Sequence, residues 1–563
     1  KSWLAATISG DVEDAAIVQD DERLVLSIAP SKEARVLRVS RSVSVGADFQ
    51  VAKAALEGSS SEIIDPLSYT KGGSVRWPEA LVVEGKLGEP VNGYALDTIP
   101  VPFENPWNAW VRTSAVDFLE DGRAVVSTHG GDIYLVSGLD ESLSTVTWKR
   151  YASGLFEPFG VRVVDGDIYV TCRDGLKRLH DFNGDDEADY VEAFWNDEDV
   201  SCMFHAYNFD LQTDDEGNFY FAKAGQYTQH HRPGSIMKIP PEGGSAEVVA
   251  WGIRTPNGMG RLGDGRFTVS DNQGPWMPAG KISIAEPGNF LGNMPINSEQ
   301  TEWLKSRHGG ELPETFDEPM IWMPQELDNS CGGQVWADDP KLGRLADRLI
   351  HSSFGKGWLY YLSMQEIDGK TQAAMVALPH QWDAGVMRLR VHPLDGQIYG
   401  VGLSGWQGPS GGRDGCLQRL RNTGDPSLLI DEFRVVDDGV ELHFSFDLDP
   451  ATATDPAAWR IQMWDYLWSK VYGSKQYSIL QPGRIGRDNL KVEEVLLIAP
   501  NAVRLKLPEL AVCDQLMIEM NFETADDPGG VSTFIETLYA TIHTMPDDRK
   551  NADASSEARS DTR

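Results

Sequence analysis

The chain has 563 residues, too many for one ordinary core, and 85 acidic residues against 50 basic ones give a formal charge of −35. That balance excludes sequence-independent nucleic-acid binding, which needs Lys and Arg to neutralise phosphates, and disfavours an anionic membrane surface. No apolar run approaches the roughly 20 residues that span a bilayer, so no transmembrane segment is expected, and five scattered cysteines form neither a disulfide framework nor a C-x-x-C pair.

From residue 1 to about 99, short alternating stretches such as R-L-V-L-S-I and A-R-V-L-R-V predict an all-β accessory domain, expected to be incomplete at its start. The chain opens on Lys1, where an export signal already removed or an upstream segment lost is the expectation. Between 105 and 422 one phrase recurs: an apolar strand, an acidic-Gly turn and a second apolar strand. Examples are A-V-D-F-L-E-D-G-R-A-V-V-S-T, V-R-V-V-D-G-D-I-Y-V-T-C and L-R-V-H-P-L-D-G-Q-I-Y-G-V. Each Gly stands where a hairpin needs positive φ. Repetition of this kind predicts propeller blades, and at about 40–50 residues per blade the stretch holds roughly six. Helical periodicity is scarce until L-G-R-L-A-D-R-L-I near Leu345, read as a helical turn or a strand lead-in.

Residues 429–545 carry longer alternating strands without the blade phrase and predict an Ig-like β-sandwich. Residues 546–563 lack large apolar side chains and are expected to be disordered. The fold class expected is therefore all-β: a roughly six-bladed β-propeller with an N-terminal β accessory domain and a C-terminal Ig-like β-sandwich. Trp464, Tyr466, Trp468 and Tyr472 could offer a sugar-stacking platform, although aromatics at such spacing usually fill a core.

Metal chemistry is suggested by D-F-N-G-D-D-E-A-D-Y-V-E. Asp181, Asn183, Asp185, Asp189 and Glu192 occupy positions one, three, five, nine and twelve of the calcium-loop template. Asp186 stands where that template has its turn glycine. A structural calcium is favoured over a solvated acidic turn, and its expected role is to rigidify the connection preceding His205.

The most informative order in the chain is His205 in F-H-A-Y-N-F-D-L-Q, Arg254 in W-G-I-R-T-P-N-G-M-G, and the turn Gln273-Gly274-Pro275 in S-D-N-Q-G-P-W. It resembles the soluble quinoprotein glucose/sorbosone dehydrogenases. The resemblance implies that His205 takes a proton from a sugar hydroxyl while hydride passes to pyrroloquinoline quinone (PQQ), and that Arg254 stabilises the reduced quinone. It implies the carbonyls of Gly274 and Pro275 as calcium ligands, and Thr255, Asn257, Gln273, Lys356 and Arg388 as cofactor-binding residues. Thr255 departs from the family, which has Asn at that position.

A broader resemblance, through D-T-I-P-V-P-F-E-N-P-W-N-A-W near Trp107 and M-R-L-R-V-H-P-L-D-G-Q-I-Y-G-V-G-L-S-G-W-Q near Trp406, is to secreted propeller proteins of planctomycetes and verrucomicrobia called membrane-bound dehydrogenase-like or haem-associated. It implies a periplasmic or extracellular location and a cytochrome on another chain as electron acceptor. This chain has no C-x-x-C-H, so no c-type haem is expected in it.

Three functions are thus expected in order: a quinoprotein-like sugar or alcohol dehydrogenase with His205 as base and Arg254 as electrophilic stabiliser; a propeller polysaccharide lyase or other glycan-cleaving enzyme using His205, Tyr207 or Tyr227; and a non-catalytic glycan-binding or scaffold protein partnered with a cytochrome. Gln226, His230, His231 and Arg232 stand on the loop following the His205 strand pair.

Overall fold

The computed structural model describes residues 2–21, 23–45, 49–57, 66–226, 234–404 and 412–546. The chain divides into two compact units, Lys1–Ser74 and Val75–Arg563.

In the first unit, Ser2–Gly10 pairs antiparallel with Leu37–Val45, and Ala15–Asp20 forms a hairpin with Arg23–Ile28. The unit is not all-β as expected: F-Q-V-A-K-A-A-L-E, rich in good helix formers, is a helix over Phe49–Glu57 that buries Leu56. The boundary expected at 99 also moves. Tyr94–Ile99 belongs to the second unit, where it pairs with Gly415–Asn422.

The second unit holds six successive antiparallel sheets, five built on a four-strand meander and the sixth on a three-strand one. Their first strands are Thr113–Phe118, Gly160–Val164, Asn208–Thr213, Gly258–Arg261, Cys331–Trp336 and Gly385–Val391. Each touches the next, and the sixth touches the first, so the innermost strands close a ring. Turn chemistry explains the hairpins. Asp165 and Gly166, at φ of 52° and 83°, join Val164 to Asp167 with both residues in the left-handed region that the tightest hairpins require.

The sixth sheet takes its fourth strand, Tyr94–Ile99, from before the first sheet, which ties the two ends of the ring together. Asp97 on that strand is fully buried and accepts from Arg419 Nε and Arg421 Nε, both at 2.8 Å. The centre of the ring is polar. Asp210 accepts the Met259 N–H at 2.9 Å and lies 3.4 Å from both Arg388 Nε and Arg390 Nη2.

Beyond the ring, Ile430–Val436, Gly439–Phe444, Ala502–Lys506 and Glu494–Ala499 make one sheet. Thr533–Ile542, Cys513–Glu523, Trp459–Trp464 and Asp488–Leu490 continue the fifth ring sheet edge to edge, with Ala374 opposite Ala540 and Met375 opposite Tyr539. This pairing covers what would be an exposed sheet edge. One hydrophobic cluster runs from Trp382 and Leu389 of the ring to Phe444, Trp459, Phe522 and Phe534, so these C-terminal strands share a core with the fifth and sixth sheets.

Candidate functional site

Because each of the first five meanders has four antiparallel strands, every first strand starts at the same end of the ring. The residues leading into those strands, and those following each second strand, therefore gather at one mouth. His205 leads into Asn208–Thr213, and Arg254 into Gly258–Arg261.

The segment before Asn208 is wrapped on Arg173, whose Nη1 donates to the carbonyls of Ser201 at 3.2 Å and Met203 at 2.9 Å. His205 is half-buried there, with Nδ1 3.0 Å from Gln226 Oε1. The same Oε1 accepts from Thr255 Oγ1, and the Gln226 N–H donates to the Arg254 carbonyl at 2.8 Å. One glutamine thus links the histidine to the Arg254-Thr255 turn. Since Oε1 can only accept, Nδ1 carries the imidazole hydrogen and Nε2 is the basic nitrogen. Burial pushes the His205 pKa below its ordinary value; the Arg254 charge adds to this, while the Gln226 hydrogen bond opposes it. The ring is therefore neutral, as a proton acceptor must be.

Asp271, at the end of Phe267–Asp271, holds the turn: its carboxylate accepts the N–H groups of Arg254 at 2.6 Å and Thr255 at 2.7 Å. Arg254 is 4% exposed. Its Nη1 donates to the Gln273 carbonyl at 2.9 Å, and Cζ lies 5.3 Å from the centre of the Tyr472 ring. No carboxylate pairs with this guanidinium among the described residues, and its Nε is buried without an acceptor. Gly274 permits the packing: a Cβ there would lie 2.6 Å from Arg254 Cδ and nearer still to Nε and Cζ.

The other expected residues divide. Asn257 is buried, its carbonyl accepting from Arg388 Nη1 and its side-chain oxygen without a donor. Gln273 turns its side chain to Gln325 and the Pro278 carbonyl. Lys356 follows a second strand and is at the same end, its N–H on Ser353 Oγ at 2.8 Å. Arg388 is corrected: a bulge between Val386 and Arg388 turns it into the ring's axis, where it is 1% exposed, bonded to the Phe159 carbonyl at 3.1 Å and paired with Asp210. Burial pushes its pKa down to about 10. It braces the axis through Asp210, with its Nη2 buried and without a hydrogen-bond partner.

The calcium expected at the Gly274-Pro275 turn does not fit. The Gly274 carbonyl already accepts N–H groups from Met277 at 3.0 Å and Gly473 at 2.9 Å, which uses both of its lone pairs. Pro275 itself bridges to Tyr472, and the Trp276 N–H donates to the Ser469 carbonyl at 2.9 Å. The loop that carries Ser469 to Ser474 is thereby fastened directly on this turn.

The loop 181–189 joins the third and fourth strands of the second sheet, at the opposite end from His205, so it does not brace the His205 connection as expected. Asp181 Oδ1 accepts the N–H groups of Asn183, Gly184 and Asp185, and Asp189 Oδ2 accepts that of Phe182 at 2.9 Å. Lys149 Nζ donates to the Asp185 carbonyl. Asp186 takes φ of 64°, the glycine-like conformation the template asks for. Glu192 lies on the next strand and pairs with His180 Nε2 at 2.8 Å. Among the described residues, no three carboxylates of this loop bring one oxygen each within 4.8 Å of one another.

Sequence reading missed the groups beside His205. Arg173 lies over the Tyr207 ring at 4.1 Å and pairs with Glu157, while His129 Nε2 is 3.8 Å from Glu157 Oε1. Each leads into a first strand or follows a second one, the positional signal that could have found them. Three of the four aromatics expected as a platform are taken up in packing: Trp464 is fully buried, and Tyr466 and Trp468 are half-buried. Tyr472 is 59% exposed. Tyr227, His230, His231 and Arg232 lie outside the described residues. The opposite end of the ring carries a polar cavity of about 770 Å³ lined by Asp117, Arg162, Arg261, Trp336 and Arg390.

No family model and no curated protein matches this chain. Among solved structures, a putative oxidoreductase (glucose dehydrogenase) from Thermus thermophilus is similar over 58% of this chain and 100% of its own, at 15% identity and a TM-score of 0.44. The PQQ-bound aldose sugar dehydrogenase of Streptomyces coelicolor is similar over 59% and 99%, at 11% identity and a TM-score of 0.41. A gluconolactonase from Xanthomonas campestris is similar over 62% and 98%, at 14% identity and a TM-score of 0.36. These are coarse likenesses.

Proposed function

We propose that the six sheets are the blades of a β-propeller, that the C-terminal strands form an Ig-like sandwich against it, and that the His205–Arg254 mouth is the active site of a sugar oxidoreductase. The observation that supports this most is the shared Gln226 side chain, which sets Nε2 of His205 as base and ties it to the Arg254 turn. In this reading His205 Nε2 takes the proton of a sugar hydroxyl, Arg254 stabilises the negative charge that develops on that oxygen, and the hydride leaves the carbinol carbon for a two-electron acceptor. A cytochrome on another chain, which takes electrons one at a time from that reduced acceptor, and a periplasmic or extracellular location belong to the same proposal. The test is aldose-dependent reduction of a dye acceptor by the purified protein. Activity lost in His205→Ala supports the reading; no turnover of any aldose with any acceptor refutes it.

A second reading is favoured by Tyr207 lying against Arg173 beside His129 and Glu157. Proton abstraction next to a uronate carboxylate, with Tyr207 or His205 moving protons, makes the protein a polysaccharide lyase. Release of unsaturated oligosaccharides without any electron acceptor distinguishes it.

A further inference from the structure

Four aromatic side chains at this one mouth stay open to solvent: Trp110 is 59% exposed, Phe156 45%, Phe204 60% and Tyr472 59%. They are not scattered. Trp110, Phe156 and Phe204 stand just ahead of the first, second and third first-strands, in equivalent places on consecutive sheets. At the fourth sheet the ring comes from the C-terminal strands' loop instead. Gly473 N–H on the Gly274 carbonyl, Ser474 N–H on the Pro278 carbonyl and the Pro275–Tyr472 bridge fix that loop at the mouth.

Each ring is backed by a cationic or imidazole group. Arg112 lies 4.5 Å from the Trp110 ring, Arg173 5.7 Å from Phe156, Arg254 5.3 Å from Tyr472, and the rings of Phe204 and His205 are 4.7 Å apart. One face of each aromatic is thereby held, which costs little entropy on binding, while the ring remains accessible. Large exposed rings set at matching places on neighbouring sheets of one mouth are the kind of apolar surface that binds a ligand.

We infer that the mouth binds an extended glycan of several pyranose units, whose apolar sugar faces stack successively on the rim from Trp110 to Tyr472, rather than a free monosaccharide. The inference rests on the mouth being a carbohydrate site and names the substrate class it takes. Tyr472 is then a substrate-contacting residue supplied by the C-terminal strands, which explains why their loop is fastened to the fourth sheet.

The test is calorimetric titration with two series, cello-oligosaccharides and galacturono-oligosaccharides, each as a two-unit and a five-unit chain. The five-unit chain of at least one series should bind about tenfold or more tighter than its two-unit chain. Tyr472→Ala and Trp110→Ala should each weaken that chain about tenfold, Tyr472→Phe should restore it, and circular dichroism melting should show all three variants folded. Which series binds shows whether the glycan is neutral or acidic. Affinity independent of length, both alanine variants binding as wild type does, or no binding in either series overturns the inference. Aldose oxidation is measured in parallel: oxidation without chain binding removes the inference and leaves the oxidoreductase, whereas chain binding without oxidation does the reverse.

Discussion

Gly274→Ala isolates the geometry that holds Arg254. The added methyl would lie 2.6 Å from Arg254 Cδ and closer to Nε and Cζ, so the guanidinium must leave its place. Gly274 is not in the left-handed region, so alanine strains no backbone there, and the three atoms nearest the added methyl all belong to Arg254. What is lost is the Nη1 bond to the Gln273 carbonyl at 2.9 Å and the contact with Tyr472. A hydrogen bond from a charged donor is worth about 1.5–3 kcal/mol. If that bond acts fully in the transition state, kcat/KM falls by about 10- to 100-fold. The assay is steady-state aldose oxidation with a dye acceptor, run for Gly274→Ala, Arg254→Ala and the double variant. Removing the arginine side chain vacates the space, so the alanine should cost almost nothing in that background. Equal costs in both backgrounds, or a Gly274→Ala protein as active as wild type, would refute the packing argument.

Other outcomes follow from the same structure. Activity should fall only as the pH drops below the His205 pKa, which burial holds under the ordinary imidazole value, and Arg254→Gln should move that acid limb to higher pH because the opposing charge is gone. Asp97→Ala removes the nearest carboxylate from the buried guanidinium of Arg419, which keeps only Asp395 at 3.6 Å, and should cost about 3–5 kcal/mol in urea unfolding; a cost under about 1 kcal/mol would mean the closing strand is held by other contacts. Burial pushes the Glu536 carboxyl up to about 7 from an ordinary 4.5, so its neutral form favours the fold. That contribution is present below the ordinary value and lost as pH rises through about 7. Glu536→Gln should therefore stabilise the protein at pH 8 by about 2–3 kcal/mol and flatten the dependence. Since the loop 181–189 closes on its own N–H groups and on Lys149, calcium chelation should leave the melting temperature unchanged, and a rise on adding calcium would contradict this.

Much of the ring was legible because turn chemistry is local. Asp165-Gly166 and Asp395-Gly396 announce hairpins wherever alternating strands flank them. The approach of His205 to Arg254 was legible too, since both precede a strand of the repeated unit. Arg388 was not. A single bulge reverses which face a strand residue takes, and nothing in M-R-L-R-V marks one. The saturated Gly274 carbonyl was equally hidden, because its partner Gly473 lies far along the chain. The helix Ser298–Arg307 escaped for a different reason: it buries only Gln300 and Leu304, leaving no apolar stripe to read, and its signals were the Asn297 cap and the charges at its ends.

The proposed pairing of His205 with Arg254 is tested most directly by aldose turnover in wild type, His205→Ala, Arg254→Gln and the double variant. Acting as a unit, each single change should cost about 10²- to 10⁴-fold in kcat, with the double variant little worse than the weaker single one. A His205→Ala protein that oxidises aldoses at the wild-type rate would contradict the assignment outright.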